Sequence, residues 1–265
     1  MVKKKDLRIG IIIASVIILL SIISVFYLPY DINEMNTQER FLPPSFTHWF
    51  GTDNFGRDIF SRVIAGAKYT LSVAFASVFI GVTLGALLGL TAGYFGGIVS
   101  EIVMRVMDAL NSFPGILLSL MMVALLKNGQ FTVILALSIL FVPFFTRIIR
   151  SGTLQQKSRD YVKIAQLQGV SSFRIILVHI FPNLIPSLFS AVVIGFSNAI
   201  LSEASLSYLG LGIQPPLPSW GRMLSESQTF LLNAPWCALA PGIVIVLTIV
   251  SFQLIGGGLS HEASA

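Results

Sequence analysis

The feature that most constrains this chain is a series of long intervals without a formal charge. Ile9–Leu28 is the first, and others lie between Lys68 and Glu101, Asp108 and Lys127, Lys127 and Arg147, Arg174 and Glu203, and Glu226 and Glu262. A helix rises about 1.5 Å per residue, so roughly 20 apolar residues cross the hydrocarbon core of a bilayer. Each interval is apolar on every face, which is the mark of a buried or membrane helix rather than an amphipathic one. None alternates apolar and polar residues as a barrel strand does. Charged residues make up only 11% of the 265 residues and mean hydropathy is +0.83. A soluble domain carries about 25% charged residues. The sequence therefore predicts an all-α membrane protein with six transmembrane helices. Ile9–Leu28 exceeds a signal-peptide core and ends in Phe26-Tyr27-Leu28-Pro29, not a small-x-small cleavage site, so it is read as a retained span.

Charge distribution orients the bundle. Lys3, Lys4, Lys5 and Arg8 place the N-terminus in the cytoplasm. Six crossings then put the C-terminus and residues 147–179 on the same side. That loop holds Arg147, Arg150, Lys157, Arg159, Lys163 and Arg174 against one acid, Asp160. The inner segments together carry eleven basic residues and the outer ones six, so the parity of the count agrees with the positive-inside rule. The net charge of +5 is thus topological and does not point to nucleic acid. The single cysteine, Cys237, has no partner for an intrachain disulfide.

Within the spans, Gly81, Gly85, Gly89 and Gly93 repeat every fourth residue and line one helix face. Such a stripe lets a second backbone approach closely, either as a fixed seam or as one that slides. Pro114, Pro143, Pro182 and Pro186 are expected to kink spans. Glu203 is expected at the outer interface, where its charge reaches water. No Gly-Lys dipeptide occurs, so there is no phosphate-cradling loop, and no H-E-x-x-H, G-x-S-x-G or paired-cysteine motif occurs. No catalytic or metal-binding residue is assigned. An ion-coupled secondary transporter is the alternative, and the scarcity of intramembrane ionisable groups weighs against it.

The loop from Ser158 to Gly169 reads S-R-D-Y-V-K-I-A-Q-L-Q-G. Ser158 is expected to cap a short helix, Asp160 to suit its positive end and Gly169 to close it. Tyr161, Ile164, Ala165 and Gln168 would share a face. A helix this short needs a surface to pack on, either its own bundle or a cytosolic partner.

Here the chain resembles a family. Lys163-Ile164-Ala165, Gly169 and Pro182 occupy the positions of the E-A-A, Gly and I-x-L-P coupling motif of binding-protein-dependent ABC importer permeases. Phe50-Gly51-Thr52-Asp53-Asn54-Phe55-Gly56-Arg57-Asp58, the stretch Glu203–Gly212 and Pro218-Ser219-Trp220-Gly221 are similar to signatures of the second permease subunit of dipeptide, oligopeptide and nickel importers. The resemblance implies a type I ABC importer permease fold and a multi-pass location in a bacterial or archaeal inner membrane. It implies a heterodimer with a sister permease, two cytosolic ATPase subunits that hold ATP and Mg, and an external substrate-binding protein. No cofactor is expected on this chain. Asp160, Tyr161, Lys163, Ile164, Ala165, Gly169 and Pro182 would couple to the ATPases. Leu211, Gly212, Trp220 and Gly221 would face the binding protein. Lys163 stands where the motif has an acid, which changes the charge offered to the ATPase. Three regions follow: residues 1–68, with the first span and an external amphipathic helix built on Ile59, Phe60, Val63 and Ile64; residues 69–258, the five-helix core with its inner loop 147–182; and a short cytoplasmic tail, 259–265.

Overall fold

A computed structural model describes residues 2–126 and 129–262, and among them helices are joined by turns and loops, without a strand. In chain order the helices are α1 (Val2–Phe26), α2 (Ile59–Phe95), α3 (Gly97–Asn111), α4 (Gly115–Leu126), α5 (Gln130–Lys157), α6 (Asp160–Leu167), α7 (Ser172–Arg174), α8 (Phe181–Tyr208), α9 (Trp220–Ser227) and α10 (Trp236–Glu262). A π-helical segment, Ile175–Ile180, joins α7 to α8. Five helical stretches are long and apolar enough to cross a membrane, and α3 with α4 makes a sixth if that pair, bent by 86°, is one span.

The glycine stripe supplies the reason to count the bent pair as a crossing. A Cβ on Gly81, Gly85, Gly89 or Gly93 would lie 3.0, 2.6, 2.8 or 2.6 Å from the Cβ of Phe141, Phe145, Ile149 or Thr153 respectively. Both series ascend together, so α2 and α5 run parallel. Gln130, at the start of α5, donates through Nε2 to Ser72 Oγ in the first half of α2 at 3.1 Å. The chain between Phe95 and Gln130 must therefore return across the bundle, and α3 and α4 make that return. The bend falls at Ser112–Pro114. Pro114 cannot continue the hydrogen-bonding of α3, and its carbonyl instead accepts from Leu118 N at 3.0 Å to open α4.

The remaining spans alternate direction. Gly152 meets Leu184 and Gly195 meets Phe145, so α8 is antiparallel to α5. Gly10 meets Ser251 and Gly258 meets Leu7, so α1 is antiparallel to α10. α10 starts where Trp236 Nε1 donates to Thr52 O at 3.3 Å, beside the start of α2. The start of α1 and the end of α10 consequently lie at the α6 end of the bundle, as the basic residues require. The main core joins Val73, Val78, Leu137, Phe145, Ile200 and Trp220.

Three expectations change. No separate amphipathic helix precedes the second span: Ile59–Lys68 are the first turns of α2, which runs 37 residues, or about 55 Å. Ile59 and Val63 pack on Met223, Ala234 and Cys237 instead of lying on a membrane surface, and no break occurs at residue 68. The third span is not confined to Asp108–Lys127, because α3 begins at Gly97 and carries its charges outward. Glu203, near the outer end of α8, is 0% exposed, so its carboxyl does not reach water as expected. Its Oε1 accepts from Ser207 Oγ at 2.6 Å, while its Oε2 is buried with no partner among the described residues. Helix α10 continues to Glu262, and residues 263–265 of the expected tail lie outside the described residues.

Candidate coupling surface and outer clamp

At the inner end, α5 stops at Lys157, whose Nζ donates to Tyr94 O at 2.5 Å and so ties α5 to the last turn of α2. The eight-residue α6 follows. Arg159, not Ser158, is its N-cap; the Ser158 hydroxyl turns back to donate to Gln155 O at 2.8 Å. Asp160 sits in the first turn, where the helix dipole favours a carboxylate, and pairs with Lys163 at 3.1 Å on the open surface. The C-terminus closes as a Schellman motif: Val170 N donates to Ala165 O at 3.1 Å and Gly169 N to Gln166 O at 3.0 Å. Gly169 has φ +75°, the left-handed conformation foreseen for it.

The expected face is only partly realised. Val162 and Ala165 are buried against Leu90, Tyr94, Ile149, Ile176 and Ile180, anchoring α6 to its own bundle. Tyr161 and Gln168 point outward, and so do Ile164, 54% exposed, and Leu167, 88% exposed. Thus α6 is docked on one side and open on the other. Tyr161 helps fix it, donating to Gln156 Oε1 at 2.8 Å, while Asn183 Nδ2 donates to His179 O at 2.7 Å. Behind α6, the Phe181 N–H reaches Ile176 O across a π turn. That widening precedes Pro182, whose ring would strike the Val178 carbonyl in a regular helix.

Trp220, Gly221 and Gly212 are interior, and Leu211 is half-buried. Trp220 is 0% exposed and its Nε1 donates to Val63 O at 2.9 Å. A Cβ on Gly221 would meet Ala204 O, and one on Gly212 would meet Ser207 Oγ. These residues lock α9 and the preceding turn onto α2 and α8. The exposed surface of this segment is Pro215, Pro216 and Leu217.

A charged clamp that the sequence reading quoted only as a motif lies beside them. Asp53 Oδ1 accepts from Phe55 N at 2.8 Å and Arg57 N at 3.0 Å, and Asp53 Oδ2 accepts from Arg57 Nε at 2.6 Å. Arg57 and Arg62 both approach Glu226, at 3.4 and 3.7 Å, and Arg222 Nε donates to Glu226 at 3.0 Å. Asp58 caps α2 through Ser61 N at 2.7 Å and holds His48 Nδ1 at 2.9 Å. Gly56, with φ +75°, passes so close to Asn36 O that no side chain fits. The outer segment is thereby fastened to α2 and α9.

A multi-pass bundle with its outer segment fastened to α2 and α9 and a short docked helix at the other end has the build of a membrane permease. The family described as "Binding-protein-dependent transport system inner membrane component" matches residues 81–261, and the chain belongs to it. Over 97% of its length it is 40% identical to the dipeptide transport system permease protein DppC of Alkalihalophilus pseudofirmus, covering 84% of that protein. Over 92% it is 44% identical to the glutathione transport system permease protein GsiD of Shigella flexneri, covering 82%. The fold is similar to that of a chain of the MetNI methionine ABC transporter in an inward-facing conformation, with TM-score 0.66 and 18% identity, over 78% of this chain and 98% of that one. The chain is an ABC importer permease, not itself an enzyme.

Proposed function

We propose that this chain is the second permease subunit of a short-peptide importer in a bacterial or archaeal inner membrane. It pairs with a sister permease, two cytosolic ATPases that bind ATP and Mg, and an external binding protein; it holds no cofactor itself. The observation that carries the coupling role is α6, anchored by Val162 and Ala165 while Ile164 and Leu167 stay open. A push on that open face is transmitted through the anchored one to α2, α5 and the start of α8. Only a contact that differs between the two states of the bundle can shift them. Asp160, Tyr161, Lys163, Gly169 and Pro182 shape and bound this helix, and the Lys163–Asp160 pair sets its rim charge. The permease relatives carry the names dipeptide and glutathione, which favours peptide over nickel as cargo.

The test is uptake by vesicles holding the complete complex and its binding protein. ATP-dependent accumulation of labelled di- and tripeptides, unaffected by excess nickel ion, is expected. Accumulation of nickel with no competition from peptides refutes the cargo assignment.

A further inference from the structure

We infer that a hydroxyl-lined groove between α4, α5 and α8 is a stretch of the path along which cargo crosses, holding the peptide through its backbone amides. This rests on the peptide-importer reading above. The groove encloses about 260 Å³ and is lined by Ser119, Ser202 and Ser205 together with Leu137, Leu140 and Leu206. That is a little under the roughly 300 Å³ at which ligand pockets begin and many times the about 30 Å³ of one water, so the space suits a short segment of a solute rather than a stray water.

Depth follows from the helices. Ser202 lies six residues before the end of α8, and Leu137 lies seven after the start of α5. Both positions are about 10 Å inside the outer ends of their helices. The groove is therefore in the outer half of the bundle, where a lipid chain supplies no hydrogen bond.

The hydroxyls single it out. Serines and threonines in these spans ordinarily satisfy themselves on their own helix: Thr83 on Phe79 O at 2.7 Å, Ser138 on Ile134 O at 2.6 Å, Thr153 on Ile149 O at 2.7 Å, Thr248 on Val244 O at 2.6 Å. Ser205 does the same with Leu201 O at 2.8 Å. The Thr70 and Thr146 hydroxyls are buried without a partner elsewhere in the bundle, whereas Ser119, only 1% exposed, and Ser202 make no hydrogen bond among the described residues and line this groove. Two unpaired hydroxyls in an otherwise apolar groove favour an occupant with amide donors and acceptors over an acyl chain. None of the residues lining the groove is ionisable. Recognition there is thus indifferent to the charge of the peptide side chains. Weak contact of this kind lets a solute enter and leave, as conduction demands.

The experiment uses the full complex in vesicles, with the tripeptide trialanine as probe. Ser119→Ala and Ser202→Ala should each raise KM for uptake about three- to tenfold, the effect of one neutral hydrogen bond. Ser202→Cys in a Cys237→Ala background should be alkylated slowly when trialanine is loaded and quickly when it is absent. Labelling at one rate with and without trialanine, or wild-type KM in both alanine variants, overturns the assignment. A wild-type complex that imports no peptide is a separate result: it removes the peptide-importer reading, and the groove assignment with it.

Discussion

Replacing Gly85 by alanine tests the parallel seam on which the bundle's architecture rests. The added Cβ would lie 2.6 Å from Phe145 Cβ and 3.0 Å from Thr146 N. Carbon atoms in contact prefer about 3.5–4.0 Å, so α2 and α5 must part by roughly 1 Å at this level. A gap of that size forfeits about a quarter to a half of each affected contact. Overpacking of this kind costs about 1–3 kcal/mol. Alanine returns up to about 1 kcal/mol through its helix propensity, so the cost of overpacking shows in full only against a glycine-to-alanine change that gains the same propensity without the clash. Gly242, also inside a helix, is the control, because its Cβ would meet Leu224 Cδ2 at an ordinary 3.8 Å. Gly242→Ala should be neutral or stabilising. Thermal unfolding of the detergent-purified complex should show Gly85→Ala below Gly242→Ala by about 2–12 °C, the melting shift of about 1–3 kcal/mol. Equal melting temperatures for the two variants would refute the close approach.

Further outcomes follow from the inner loop and the outer turn. Leu167→Asp should leave the melting temperature unchanged, since the side chain is 88% exposed, yet abolish ATP-driven uptake in vesicles. Gly169→Leu meets no atom within 4 Å, but its φ of +75° strains any other residue by about 1–2 kcal/mol; membrane insertion by fractionation should be normal and uptake uncoupled from ATP hydrolysis. Trp220→Phe removes the indole N–H that donates to Val63 O, a carbonyl that α2 still bonds, and should destabilise the complex by about 0.5–1.5 kcal/mol in denaturant unfolding. Cysteine at Gln168 should react with an impermeant maleimide only from the cytosolic side of oriented vesicles.

Much of the fold was legible because a bilayer imposes length and neutrality on whatever crosses it. The intervals without charge mark the spans, and basic residues mark their inner ends. Gly169 was readable for a local reason, since a left-handed residue closing a helix is written in one position. What escaped the sequence depended on distant partners. Ser158 had a nearer carbonyl, Gln155 O, than the helix start it was expected to cap. Glu203 looked interfacial because a lone acid in a membrane span is costly, but Ser207 one turn later shares its burial. Trp220 and Gly221 sit in a motif rich in proline and glycine, which reads as an exposed loop. Their burial comes from Val63 and Ala204, which no local pattern brings to them. On α6 the periodicity was right, but the buried pair is Val162 and Ala165, fixed by the shape of the α2–α5 floor.

The central claim is that this permease moves cargo only when a nucleotide hydrolase acts on its inner face. Vesicles containing this chain and its sister permease, with and without the two ATPase subunits, test it directly. Labelled peptide should accumulate only with the ATPases, the binding protein and hydrolysable ATP all present. Uptake of the peptide by the permeases alone, driven by an ion gradient, would contradict the account.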